Sequence, residues 1–325
     1  MAGAMNFAFE AYVTEIIADG GQAAFTLGDG AITWEDGARA QAHDGAILCA
    51  VAHPLGQGVI TGGDDGRLVW SRRGETQVLA EAPKRWIDAV TASPTSGLIA
   101  FSTGREAQVL DANAPEFRRI FVHPASVAAV AFDPKGRRLA AATYGGVALW
   151  YARIAEQKPV MLRWAGSHVG LAFSPDGRFL VASMQEPALH GWRLADAQDM
   201  HMGGYPAQVG SLAFLGGAGL ATSGANGVVL WPFIGANGPM GRQSTVMGGD
   251  ESSLVTRVAG DATGAHLVAG LDNGRVWIYH LAARQIMSLR PETGPPITAL
   301  TVLPGHRVAW GDDAGGAGIL NLSGR

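Results

Sequence analysis

A pattern of two turns and three short strands returns eight times along the 325 residues, and no other feature constrains the fold of this chain as strongly. The first turn of each unit is of Pro/Asp/Gly type. It reads Ala18-Asp19-Gly20-Gly21, His53-Pro54-Leu55-Gly56, Ser93-Pro94-Thr95-Ser96-Gly97, Asp133-Pro134-Lys135-Gly136 and Ser174-Pro175-Asp176-Gly177. Leu215-Gly216-Gly217, Asp261-Ala262-Thr263-Gly264 and Leu303-Pro304-Gly305 complete the series. Each turn separates two short apolar runs, such as 127–132 and 138–143 in the fourth unit. A second turn follows, often Asx-Gly: Asp29-Gly30, Asp65-Gly66, Asn226-Gly227 and Asn273-Gly274. Between apolar runs this dipeptide predicts a tight hairpin with positive φ at both central residues.

The third run of each unit closes at Trp34, Trp70, Leu110, Trp150, Trp192, Trp231, Tyr279 and Leu320, with successive spacings of 36, 40, 40, 42, 39, 48 and 41 residues. A period near 40 with four short strands per unit is the period of a propeller blade. Helical repeats would need amphipathic segments of period 3.6, which the chain lacks. The expected fold is all-β: a single closed β-propeller over residues 1–325, with eight blades of four antiparallel strands. Inner strand triplets are expected at about 11–34, 46–71, 86–111, 126–151, 168–194, 207–233, 252–281 and 296–322, with seven outer strands between them. Residues 5–10, where Asn6-Phe7-Ala8-Phe9 alternates, are expected to close the last blade as its outer strand and so remove an open edge. The competing count is seven blades with residues 1–35 as an appendage. Trp34 follows Asp29-Gly30 at the offset at which Trp70 follows Asp65-Gly66, which favours eight.

Composition agrees with many short strands and narrows the function. Charged residues make up 16% of the chain and there are 46 glycines, which supply positive φ in turns without steric cost. A net charge of −4 provides no global footprint for nucleic acid or anionic lipid. Cys49, the single cysteine, excludes an intramolecular disulfide and a cysteine-based metal site. The first 14 residues carry no signal-peptide pattern, and no run of about 18 uncharged apolar residues occurs. The expectation is a cytoplasmic monomer with no nucleic-acid or membrane partner and no cofactor.

The second unit contains the most complete copy of the repeat: His43-Asp-Gly-Ala-Ile47, then 59–66 (VITGGDDG), then Arg67-Leu-Val-Trp70. It resembles the tryptophan–aspartate (WD) repeat family, and the resemblance runs over nearly the whole chain. It implies the family's structural hydrogen-bond tetrad at His43, Thr61, Asp65 and Trp70. A buried indole N–H needs an acceptor, and a histidine between a hydroxyl and a carboxylate completes the network. Other units depart from the pattern. The fourth keeps His123 and Trp150 but has Gly145 in the aspartate place. The sixth keeps Thr222, Asn226 and Trp231 with Tyr205 in the histidine place, and the third and eighth units end on leucine.

Little in the sequence points to catalysis. His43 and His123 fall at the tetrad position, and His190 and His201 flank one strand connection without metal-ligand spacing. Asp64-Asp65, Asp272 and Asp312-Asp313 fall in hairpin turns, where Asp has a backbone role. No Gly-x-Ser-x-Gly elbow opens a helix, and the stretch 311–318 (GDDAGGAG) reads as a hairpin loop. Glu15 and Arg257 lie in innermost strands and are expected to line the central channel. A lactonase-like propeller hydrolase with a channel metal would need several ligands converging from innermost strands. Glu15, Asp88, His168 and Arg257 form no such set.

Binding is the better-supported class. In this architecture the connections into the innermost strands and the middle-strand turns share one face, where large side chains have no core duty. The candidates are Lys84-Arg85-Trp86, Tyr144, Arg163-Trp164, Met184-Gln185-Glu186 and Tyr205, with Arg257 toward the channel. The alternative for Trp86 and Trp164 is that they fill gaps between blades. The expected function is a non-enzymatic scaffold that binds a protein or peptide on this rim.

Overall fold

A computed structural model describes residues 4–217, 219–249, 252–261 and 263–322. The turn residue Ala262 and the ends 1–3 and 323–325 of the expected domain lie outside them. The described residues form thirty strands and no helix. The strands make six four-stranded antiparallel sheets and one of six strands, arranged as a ring.

The six-stranded sheet holds two consecutive repeats. Strand Arg138–Tyr151 doubles back on itself at Tyr144-Gly145, where Gly145 has a φ of 87°. The Ala152 amide then donates to the Arg137 carbonyl at 2.9 Å, and Leu194 to Arg178 and Leu322 to His306 make the same closing bond elsewhere, both at 2.8 Å. Strand Val160–Phe173 serves both repeats. Its start pairs with residues 146–149 as the outer strand of unit four, and its end pairs with residues 180–184 as the inner strand of unit five. Seven hydrogen-bonded sheets thus carry all eight strand triplets. Residues 13–41 form a sheet within the ring, not an appendage to it.

The middle strands read as continuous apolar runs because neighbouring units cover both of their faces. Leu98–Thr103 and Phe179–Met184 are buried at every position. The core consists of wedges between units. Ala129, Ala140 and Ala142 of unit four meet Leu180, Ala182 and Trp192 of unit five, the alanines leaving room for the bulkier partner.

Where hairpins carry Asx-Gly, the turns differ from the expected geometry. Gly30, Gly66 and Gly274 have φ of 84°, 78° and 80°, whereas the Asx before each keeps negative φ. The amides of these glycines donate to Leu27, Gly63 and Leu271, three residues back. Each is therefore a turn with negative φ at its centre and a single left-handed glycine after it. The Asx side chain accounts for the choice: it accepts from the amide two residues on, at 3.1 Å for Asp29, 3.0 Å for Asp65 and 3.2 Å for Asn273.

Ring closure runs through strand Met5–Ala8, which pairs antiparallel with Gly316–Asn321 as the outer strand of unit eight. Phe7 and Phe9 lie over the fully buried Phe25 of unit one, with ring centroids 5.1 and 5.4 Å away. Arg307 of unit eight pairs with Glu35 of unit one at 2.6 Å. Units are also stitched on the inner side. Cys49 Sγ donates to the Ile87 carbonyl at 3.4 Å, Thr256 Oγ1 to Ile297 at 2.7 Å and Thr298 Oγ1 to Val13 at 2.6 Å. Cys49 therefore has a structural role, and burial raises its thiol pKa well above the ordinary value.

Candidate binding face

Hairpin tips and inner-strand connections share one face because hydrogen bonds tie each to the other. Ile87 donates to Gly63 at 3.1 Å, Val127 to Gly104 at 2.8 Å and Gln185 to Ser167 at 2.9 Å.

Beneath that face the predicted networks are present but rearranged. His43 is buried and bridges Asp65 (Nδ1 to Oδ1, 2.9 Å) and Thr61 (Nε2 to Oγ1, 2.8 Å). Partial burial opposes ionisation of Asp65. Hydrogen bonds from His43 and the amides of Arg67 and Asp44 outweigh it and hold the carboxyl below its usual range. The fourth predicted member, Trp70, is not part of the network: its Nε1 donates to the Gln57 carbonyl at 2.5 Å. Register explains the correction. Thr61 pairs with Val69 and Trp70 with Ile60, so the indole emerges on the opposite face of the sheet from Thr61. There it stacks on His53, with centroids 4.6 Å apart, and under the Arg72 guanidinium at 4.4 Å. Ser71, paired with Val59 on the Thr61 face, takes the indole's place, and its buried hydroxyl has no partner.

In unit six, Thr222 pairs with Val229 and Trp231 with Leu220, so indole and hydroxyl share a face. Trp231 Nε1 donates to the Tyr205 hydroxyl at 2.7 Å, and that hydroxyl meets Thr222 Oγ1 at 2.7 Å. Tyrosine thus substitutes for the histidine. In unit four, Trp150 Nε1 donates to His123 Nε2 at 3.0 Å, which leaves Nδ1 to donate to the Arg105 carbonyl at 3.3 Å.

The structure divides the proposed rim residues into three groups. Trp86 and Tyr144 are 64% and 70% exposed, so neither fills a gap between blades. Lys84, Arg85 and Arg163 are exposed on the same face, with Arg85 3.6 Å from Glu106. Trp164 is exposed on one side only: 37% exposed, it stacks on the buried His190 with centroids 3.8 Å apart. Burial lowers the His190 pKa to about 4 against the pull of the Asp199 carboxylate, and His168 and His201 lower it further. Met184 and Tyr205 are 4% and 8% exposed and cannot meet a partner. Both lie beside connections that looked like surface, but Met184 covers Gly166 and Tyr205 caps its own network. Arg257 lines the channel with Glu15, away from the rim.

Sequence reasoning missed Arg105, exposed beside Gly104 at the tip of the unit three hairpin. Among the described residues Lys84, Arg105 and Arg163 form no ion pair. Asp88 accepts from Ser102 at 3.0 Å, and His168 Nδ1 meets the Thr143 carbonyl at 3.2 Å, so neither joins Glu15 in a ligand set. No group of three metal-ligating side chains is found among the described residues.

Residues 38–70 match the family model described as "WD domain, G-beta repeat". No curated protein matches the chain. Among solved structures, the fold is similar to that of the computationally designed protein Ika8, with a TM-score of 0.77 at 17% identity, over 97% of this chain and 98% of that one. The match covers the unit whose His43–Asp65 and His43–Thr61 bonds survive intact, and the remaining units repeat its strand order around the ring. The chain is a β-propeller in which residues 38–70 match the WD-repeat model and the other units repeat that strand order as degenerate copies.

Proposed function

We propose that this propeller is a non-enzymatic scaffold that captures a protein or peptide on the rim over units three to five. The observation that carries this reading is the pairing of two large, exposed aromatic side chains, Trp86 and Tyr144, on the face built from connections and hairpin tips. Such residues offer wide contact area at modest cost in side-chain entropy, and they dominate binding energies where they occur. Lys84, Arg105 and Arg163 surround them as cations without a carboxylate partner, on a chain whose net charge is −4. That arrangement favours an acidic segment with an apolar anchor. Trp164 contributes an edge, with its inner face committed to His190.

The test is affinity capture from the native cell with the wild type, Trp86→Ala, Tyr144→Ala and Arg163→Ala, each checked for fold by circular dichroism. Partners recovered by the wild type should fall about 30-fold in affinity for the tryptophan variant, the equivalent of ~2 kcal/mol. Equal recovery by all three folded variants would remove the rim from consideration.

A further inference from the structure

Inside the ring, a cavity of about 340 Å³ opens on the central channel where units one, five, six, seven and eight converge. Its wall contains two charged side chains, Glu15 and Arg257, and otherwise Gly170, Gly210, Ser183, Ser211 and four aliphatic residues. The two charges come to the same level by register. Unit one has a bulge between Val13 and Glu15, and unit seven has the same bulge between Val255 and Arg257. In unit five the position after the bulge is held by Gly170, which leaves the space open.

Construction around the cavity is specific. A Cβ at Gly170 would stand 2.5 Å from Ser183 Oγ, so that glycine cannot be enlarged without moving the wall. A Cβ at Gly210 would lie 3.8 Å from Arg257 Nη1, which places the guanidinium over the glycine. The inner strand of unit six is short, Leu212–Phe214, and Ser223 Oγ accepts from the amides of Gly210 and Ser211 above it, at 3.2 and 3.0 Å. Among the described residues Arg257 donates only to its neighbour's carbonyl, Thr256, at 3.1 Å. Glu15 and Arg257 sense each other, since the guanidinium opposes the rise that enclosure imposes on the carboxyl, yet they form no ion pair among the described residues.

We propose that this cavity binds a free α-amino acid, its carboxylate on Arg257 and its ammonium on Glu15. A lone anion would meet Glu15 and a lone cation would meet Arg257. A zwitterion supplies each of the two charges with a partner of opposite sign. The volume lies at the lower end of the range for small-ligand sites.

Titration calorimetry of the full chain tests this with leucine as the probe. 4-Methylpentanoate, which lacks the ammonium, and isoamylamine, which lacks the carboxylate, serve as comparisons. Leucine should bind at least tenfold more tightly than either. Arg257→Ala and Glu15→Gln, each confirmed folded by circular dichroism, should lose at least tenfold in leucine affinity, and Trp86→Ala should lose none. That last variant separates the cavity from the rim. Methylpentanoate binding as tightly as leucine, with Glu15→Gln unchanged, would reveal a simple carboxylate site and overturn the proposal. So would an absence of binding by leucine, alanine and serine at millimolar concentration.

Discussion

The Trp231 indole donates to the Tyr205 hydroxyl at 2.7 Å, and that hydroxyl in turn reaches Thr222 Oγ1 at 2.7 Å, so one phenol satisfies two buried groups of unit six. Tyr205→Phe keeps the ring packing and leaves the Trp231 indole N–H without its acceptor, while Thr222 Oγ1 keeps its bond to the Val229 carbonyl at 3.2 Å. Each buried group left without a bond costs about 1–3 kcal/mol. Urea unfolding should show a loss of at least ~1 kcal/mol, and Thr222→Val added to Tyr205→Phe should cost less than the sum of the single changes. Strict additivity would mean that the three groups do not act as one network.

Ser71 predicts the opposite sign. Its hydroxyl is buried in unit two, on the Thr61 face that Trp70 vacates, with no hydrogen-bond partner. Ser71→Ala removes a desolvated polar group and leaves no bond broken. The variant should be as stable as the wild type, or more stable by up to ~1 kcal/mol in urea unfolding.

Acid should loosen the ring in a definite window. Burial holds His190, His168 and His123 below the ordinary histidine value, His190 at about 4. The unfolded chain takes up protons near pH 6.5 whereas the folded chain resists. These groups therefore cost nothing above about pH 6.5, and stability falls as pH drops from there toward 4. His190 alone should remove about 2 kcal/mol by pH 5. Urea midpoints between pH 7.5 and 5 should fall in the wild type and fall less in His190→Gln. Carboxylates such as Asp65 and Asp111, held below their usual range, lose their contribution only at lower pH.

Closure at Phe25 makes the N-terminal strand part of the core. Phe7 and Phe9 are half-buried over Phe25. Replacing either by alanine should cost about 2 kcal/mol, under the ~3–5 kcal/mol of a fully buried phenylalanine. Deleting residues 1–10 should lower the thermal midpoint and expose the edge of Gly316–Asn321, with concentration-dependent association in light scattering. An unchanged midpoint would show that closure rests on the Arg307–Glu35 pair and the Thr298 stitch.

The sequence by itself determined the recurrence: where each turn falls, which runs become strands, and that eight triplets follow one another. Turn chemistry and apolar runs are local properties, and they read correctly even in units without a tryptophan. Sequence also placed Tyr205 where the histidine belongs, because that place is set by distance from the neighbouring turns. It could not tell that Trp70 leaves the network. Trp70 and Trp231 each lie nine residues after their threonine, and only hairpin register decides which face each takes, since one residue of slip reverses a strand's faces. Nor could it tell that Met184 is covered while Trp86 is bare. Both lie beside turn residues, and exposure there depends on which segments the fold packs over them. Tertiary structure likewise brought Glu15 and Arg257, 242 positions apart in the chain, to one level of one cavity. Local chemistry specifies the repeat, but only closing the ring determines which side chains face solvent, the channel or each other.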